Sequence, residues 1–264
     1  MHFTKDQLIE LHKRIVKFAD KNLLEIKKLN IDLNDEHNSF FVGMIIRQHS
    51  INKDLFLLFS NNESQTLTSK FVLYRCLVDD FINIIFISNQ DDKNEMVTKL
   101  NADALSKNFN KIKELAELNE EKLGGTYPYY PTYEILEEVK EKMKNSPKRQ
   151  QHFSDKDNFK FKTFKSIGNL IRDLNDIDDN VNQLRRAYFI WRKFSDFVHY
   201  SNLTYEEEQI RNPLEDETYT EFAEIISYSY FIVRNCLGHF TDKYDLQITD
   251  SSDLADYYKE SKHE

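Results

Sequence analysis

An arginine and a histidine seven residues apart, Arg192 and His199, stand late in the chain with Ser195 and Asp196 between them. On a helix, residue i+7 returns to nearly the direction of residue i, so all four would share one face over two turns. A guanidinium so placed can stabilise charge on a phosphate. An imidazole beside it can donate or accept a proton near neutral pH. Ser195 or Asp196 would set the imidazole tautomer. The same residues admit a purely structural account, in which Asp196 pairs with Arg192 and Ser195 satisfies His199. Arg185 and Tyr188 extend the stripe upstream, and Trp191, Phe194, Phe197 and Val198 form the opposing apolar face.

A second polar row interrupts the apolar run from Phe71 to Ile87. Arg75, Asp79 and Asn83 recur one helical turn apart, with Asp80 beside them. Burying such charges is costly unless they are paired. An internal Arg75–Asp79 pair that fixes helix register would account for the row. Alternatively the row faces the Arg192–His199 stripe and completes a composite site. Arg47, His49 and Ser50 are expected at the surface, with a third polar contribution to that site as the alternative. Further on, Lys148, Arg149, Lys156, Lys160, Lys162 and Lys165 are interleaved with Phe153, Phe159, Phe161 and Phe164. Basic groups neutralise phosphates and aromatic rings stack on unpaired bases, which makes Lys148, Arg149, Lys160 and Lys162 candidate RNA contacts. The competing account is an exposed loop whose phenylalanines dock on the bundle.

Metal and cofactor chemistry find little to work with. Asp196 and His199 offer two ligand types at helical spacing, and the one Glu-x-x-His pair, Glu260 with His263, lies in a polar tail. A metal-dependent hydrolase built on Asp79, Asp80, Asp196 and His199 is a third reading of these side chains. There is no HExxH, P-loop, GxGxxG or GxSxG, so no metal and no cofactor is assigned.

Helices must position these groups, because five glycines and four prolines leave few turns and strand alternation is scarce. Thr4 with Gln7 forms a capping box that opens a helix through about Leu29. Further helices are expected over about Glu36 to Ser60, Gln65 to Ser88, Lys93 to Leu123, Tyr133 to Lys144, Phe164 to Leu174, Asp178 to Tyr200 and Thr218 to Tyr244. Gly124-Gly125 ends the long charged fourth helix. Thr204 opens a short acidic turn or helix that Pro213 ends, and residues 145–161 read as a loop. The fold class is all-α: a bundle of about seven to eight helices with a short helical and loop insertion. It reads as a single helical domain over 1–264: long N-terminal helices over 4–123, an insertion with the basic loop over 124–163, C-terminal helices over 164–244 and a polar tail over 245–264.

At 264 residues the chain can bury a core without disulfide or metal, and its two cysteines, Cys76 and Cys236, read as buried thiols in a reducing cytoplasm. The start lacks the apolar segment of a signal peptide, and Phe71 to Ile87 is too polar and too short to span a membrane. A net charge of −9 excludes a bulk nucleic-acid binder. Charge is uneven, however: eight Lys/Arg face two Asp from Lys142 to Lys165, and fifteen Asp/Glu face five Lys/Arg from Ser201 onward.

The segment Arg192-Lys-Phe-Ser-Asp-Phe-Val-His199 resembles the Arg-x6-His signature of the HEPN superfamily, and the layout of residues 36 to 240 resembles its bundle. Lys193 departs from the small polar residue that often follows the superfamily's arginine. Phe194 to Ser201 also resembles a family of uncharacterised bacterial helical proteins, which carry a late Ser-x-x-x-His stretch and an arginine followed by an acid in an earlier apolar helix. The HEPN resemblance implies an all-α, usually dimeric protein, and in many members a metal-independent ribonuclease of bacterial defence or toxin–antitoxin systems. His199 would then be the general acid/base and Arg192 the charge stabiliser, with acidic and basic residues of a neighbouring helix completing the site. RNA, an antitoxin or other protein partner and a second copy of the chain are the implied partners. The other function class is a non-catalytic sensor or partner-binding module, whose polar rows are structural ion pairs.

Overall fold

The computed structural model describes residues 3–61, 68–174, 180–198, 216–249 and 256–257. Apart from one two-stranded hairpin, the described residues form the all-α architecture that the helical spacing predicts. The chain divides into two compact units, residues 1–89 with 167–264, and residues 90–166.

In the first unit, α1 (Lys5–Lys28) opens on the expected capping box: Gln7 N–H donates to Thr4 Oγ1, and Thr4 N–H donates back to Gln7 Oε1. Its buried stripe runs Leu8, Leu11, Ile15, Phe18, Ala19 and Ile26, the three-and-four spacing that turns one face inward. α2 (Glu36–Ser60) starts where Asp35 accepts from the His37 and Asn38 amides, satisfying two N–H groups that a bare helix end leaves orphaned. α3 (Thr68–Ser88) is buried on most of its circumference and is the central element. It packs against α2, against α7 (Ile167–Arg172), against α8 (Val181–Ser195) and against α9 (Asp216–Tyr244).

Aromatic rings fill the junction of these helices. Phe71 stacks on Phe197 with centroids 4.1 Å apart and lies 5.0 Å from Phe194. Tyr74 stacks on Phe222 at 4.5 Å, and Phe59 meets Phe222 edge-on. α8 thus has its inner face fixed through Phe194, and Phe197 continues the contact beyond the helix end. No described helix is long and apolar enough to cross a membrane.

The second unit begins at Gln90, so α4 (Lys93–Lys122) belongs with the insertion rather than with the N-terminal helices. α4 ends at the glycine pair as expected. Gly124 and Gly125 hold φ of 66° and 70°, and the Gly125 N–H donates to Asn119 O. The buried Asn119 side chain then organises the following loop, donating to the Tyr127, Tyr130 and Pro131 carbonyls and accepting from Tyr127 N–H. α5 (Tyr133–Asn145) and the short α6 (Pro147–Gln150) follow.

Residues 145–161, expected as a loop, instead contain α6 and the antiparallel strands β1 (Phe153–Asp155) and β2 (Lys160–Phe161). Asp155 makes the turn by accepting from Asn158 N–H, and Phe159 takes φ 53°. Phe153, Phe159 and Phe161 pack with Phe109, Ala116, Leu136 and Met143, a core internal to this unit.

Candidate functional site

α8 presents three different sides. The buried side is Leu184, Ala187, Ile190 and Phe194. One flank carries Arg186 and Lys193, which pair with Glu224 and Glu221 of α9; Lys193 Nζ lies 2.8 Å from Glu221 Oε1. The other flank carries Tyr188, Trp191 and Ser195 and meets α3. There Arg75 Nε donates to Ser195 Oγ at 3.1 Å, and the guanidinium lies over the Trp191 ring, 5.0 Å from its centroid. Asp79, one turn along α3, has a carboxylate oxygen 4.0 Å from Arg75 Nη1. Tyr188 stacks on Trp191 at 5.9 Å and nearly parallel. Arg75 of the helix-three row and Ser195 of the motif helix therefore meet.

Ser195 is committed on both sides. Its Oγ donates to Trp191 O at 2.7 Å, and its lone pair accepts Arg75. A hydroxyl has one proton, so Ser195 positions neighbours by accepting and is not set up as a nucleophile. Arg192 is exposed on the helix surface, as is Asp196 in the turn that follows. That turn corrects the sequence reading. The helix expected to reach Tyr200 ends at Ser195, and residues 196–198 are turn. His199 itself lies outside the described residues, as does the segment from Thr204 to Pro213.

The second row is divided by the helix. Arg75 and Asp79 point toward α8, and Asn83 is half-buried one turn on. Asp80, a further 100° round α3, turns to α2 instead. Its Oδ2 accepts from Arg47 Nε at 2.7 Å and from Gln48 Nε2 at 2.8 Å. Arg47 is exposed, as expected, while its guanidinium closes this pair, and it also contacts Cys76. Cys236 is buried, whereas Cys76 is half-buried, and both thiols are free. His49 reaches Asp20 at 3.1 Å, and Ser50 donates to Ile46 O.

Behind Asp80 lies a feature that sequence reasoning missed. Asn52 uses its amide hydrogens on Gln48 O and Ser229 Oγ, each at 2.8 Å, so its Oδ1 must accept from His12 Nδ1–H, also at 2.8 Å. The neutral ring then offers only its Nε2 lone pair, which Tyr74 O–H fills at 3.1 Å. Ser229 passes its proton toward Gln48 Oε1 at 3.0 Å, and Gln48 donates to Asp80. The links run Tyr74, His12, Asn52, Ser229, Gln48, Asp80, across α1, α2, α3 and α9, with every donor pointing toward the carboxylate. Such alignment strengthens each bond through its neighbours.

Burial holds His12 neutral, lowering its pKa to about 4 against the opposing Asn52 hydrogen bond. Burial pushes the Asp80 carboxyl up to about 6, outweighing Arg47. These shifts act oppositely on stability. His12, with its pKa depressed, contributes stability present above 6.5 and lost as pH falls toward 4. Asp80, with its pKa raised, contributes stability present below 3.8 and lost as pH rises through about 6. Between pH 4 and 6 the two largely offset. Asp80→Asn should leave His12 unopposed, so unfolding free energy falls by roughly 1.4 kcal/mol more per pH unit of acidification than in the parent. Urea titrations of both proteins at pH 6 and pH 4 measure this, and parallel profiles would refute the offset. His239, half-buried and lowered to about 4 by desolvation and then by Lys243, adds a slope of the same sign as His12 in both proteins.

The candidate RNA contacts of the second unit fare differently from one another. Lys148, Arg149 and Lys160 are exposed. Lys162 instead pairs with Glu95 at 3.1 Å. Of the interleaved phenylalanines, Phe153 is buried in the unit's core, and Phe159 and Phe161 pack against it half-buried. Among the described residues, no group of three or more His, Cys, Asp or Glu is placed to hold a metal ion. No protein-family model matches the chain, and no curated protein or solved structure matches it.

Proposed function

We propose that this chain is a HEPN-like, metal-independent endoribonuclease of a bacterial defence or toxin–antitoxin type system. The observation that supports the reading is the 3.1 Å contact between Arg75 and Ser195, which joins the helix-three row to the motif helix. Arg192 stands exposed on the same helix, one turn from Ser195. In the reaction the ribose 2′-oxygen forms a bond to the adjacent phosphorus as the bond to the 5′-oxygen breaks. His199 takes the 2′-hydroxyl proton and returns it to the departing 5′-oxygen, and Arg192 stabilises charge on the phosphoryl oxygens. Arg75, held over Trp191 and bonded to Ser195, orients the motif helix. The test is purified protein incubated with RNA in EDTA. Cleavage leaving 2′,3′-cyclic phosphate ends is expected, and intact RNA overturns the proposal.

A second reading is a non-catalytic sensor or partner-binding module. It is favoured by the pairing of the polar groups: Arg47 with Asp80, Arg186 with Glu224 and Lys193 with Glu221. Uncleaved RNA from a folded protein, together with capture of a defined protein partner, would establish it.

A further inference from the structure

Large apolar side chains come to the surface most densely at one end of the second unit. Between residues 118 and 135, Leu118, Leu123, Tyr127, Tyr129, Tyr133 and Ile135 are all exposed. Tyr129, 84% exposed, is the most open large hydrophobic among the described residues. The backbone that shows these rings is held in place. Asn119 fixes the Tyr127, Tyr130 and Pro131 carbonyls and the Tyr127 N–H, and Pro128 and Pro131 each lock one φ. The Tyr127 ring meets Tyr129 edge-on, centroids 5.8 Å apart, and lies 4.6 Å from Tyr130. A loop already ordered loses little freedom when something binds to it.

Charge at this end has one dominant sign. Residues 114–138 hold seven glutamates and one lysine, with no aspartate or arginine. Three of the carboxylates gather around Tyr133. Its O–H donates to Glu121 Oε1 at 3.2 Å, and its N–H donates to Glu120 Oε1 at 3.3 Å. The phenol pKa is raised, first by desolvation and then by Glu121, Glu117 and Glu120. Lys113 lies 3.7 Å from Glu117, and Lys140 and Lys142 pair with Glu137 and Glu138. Glu114 and Glu134 are exposed. Rings rimmed by carboxylates suit a cation with an apolar stem. An uncharged apolar surface would crowd the glutamates without offering donors. A nucleic-acid strand would be repelled. An arginine satisfies both halves, because its stem and planar guanidinium lie on a tyrosine ring while the N–H fork reaches a carboxylate.

We propose that the tyrosine-rich end of the second unit, residues 114–138, is a docking surface for an arginine-bearing basic segment of another protein. The partner's arginines lie on the Tyr129 and Tyr133 rings and pair with the surrounding glutamates. The surface uses no group of the ribonuclease reading, so either can fail without the other.

The probe is a labelled octa-arginine peptide, titrated with full-length protein by fluorescence anisotropy, and amide NMR locates it on the chain. Binding is expected, with shifted amides centred on residues 114–138 and weaker binding of octa-lysine. Tyr129→Ser should weaken binding by about two- to fivefold, and Tyr129→Trp should keep or tighten it. The ring is so exposed that neither change should move the melting temperature. Glu121→Gln with Glu134→Gln should weaken binding further and flatten its dependence on salt. Asp54→Asn with Asp91→Asn removes as much charge outside residues 114–138 and should leave affinity nearly unchanged. No binding at low salt overturns the proposal. Affinity unmoved by Tyr129→Ser, or lost equally in the control pair, also overturns it, since charge alone would then account for binding. An oligoribonucleotide that shifts the same amides overturns it in favour of a nucleic-acid site. Concentration-dependent sedimentation of the protein alone, abolished by Tyr129→Ser, overturns it and makes the surface an interface between copies.

Discussion

Asn52→Leu should destabilise the first unit by about 3–5 kcal/mol, although leucine matches asparagine in size and leaves no cavity. The loss is entirely polar. His12 Nδ1–H would face hydrocarbon, Ser229 would lose the donor that fills its lone pair, and Gln48 O would lose a partner. A buried donor left without an acceptor costs its full desolvation, whereas removing both members of a pair can be close to neutral. His12→Leu added to Asn52→Leu should therefore cost less than the sum of the two single changes. Urea unfolding of the four proteins in that cycle gives the coupling. Strict additivity would mean that His12 and Asn52 do not depend on each other, against the 2.8 Å contact between them.

If the chain is the proposed ribonuclease, His199→Ala should lower the rate of RNA cleavage by about 10²–10⁴, the usual worth of a positioned proton-transfer group. Ser195→Ala should cost far less. The Ser195 proton goes to Trp191 O, so its removal loosens Arg75 without deleting a reacting group. Single-turnover rates of the three proteins, with melting temperatures as a control for folding, distinguish the roles. Equal losses for Ser195→Ala and His199→Ala would make the serine hydroxyl a participant. Undiminished cleavage by His199→Ala would remove the general acid/base and with it the mechanism.

The helices were largely legible because their ends carry local chemistry. α1 opens on the Thr4–Gln7 capping box, and α4 ends on two glycines that accept positive φ. The end of α8 was not legible. Nothing in Phe194-Ser195-Asp196-Phe197 stops a helix, and the apolar spacing continues through Phe197, which the structure packs against Phe71 from a turn. The β-hairpin hid behind a basic composition, although Asp155 and Asn158 are the turn formers that a closer reading would use. Periodicity placed Arg75 and Asp79 on one side of α3 but did not separate Asp80, whose partner Gln48 sits 32 positions away. The polar chain was illegible for the same reason. His12 and Ser229 stand on mostly apolar faces of their helices, and Gln48 and Asn52 lie one turn apart on one face of α2; spacing tells which face turns inward but not what it meets.

That chain has a further consequence for the interior it runs through. Two cores of identical volume and contour would differ if one amide were turned over, because two acceptors or two donors would then confront each other at one link. Every link beyond it would have to reverse. The core thus has a head at Tyr74 and a tail at Asp80, and a carboxylate at the tail permits only one reading direction. Gln48→Glu and Asn52→Asp keep the outline of the side chain yet erase that sense, so shape-preserving exchange is not conservative here.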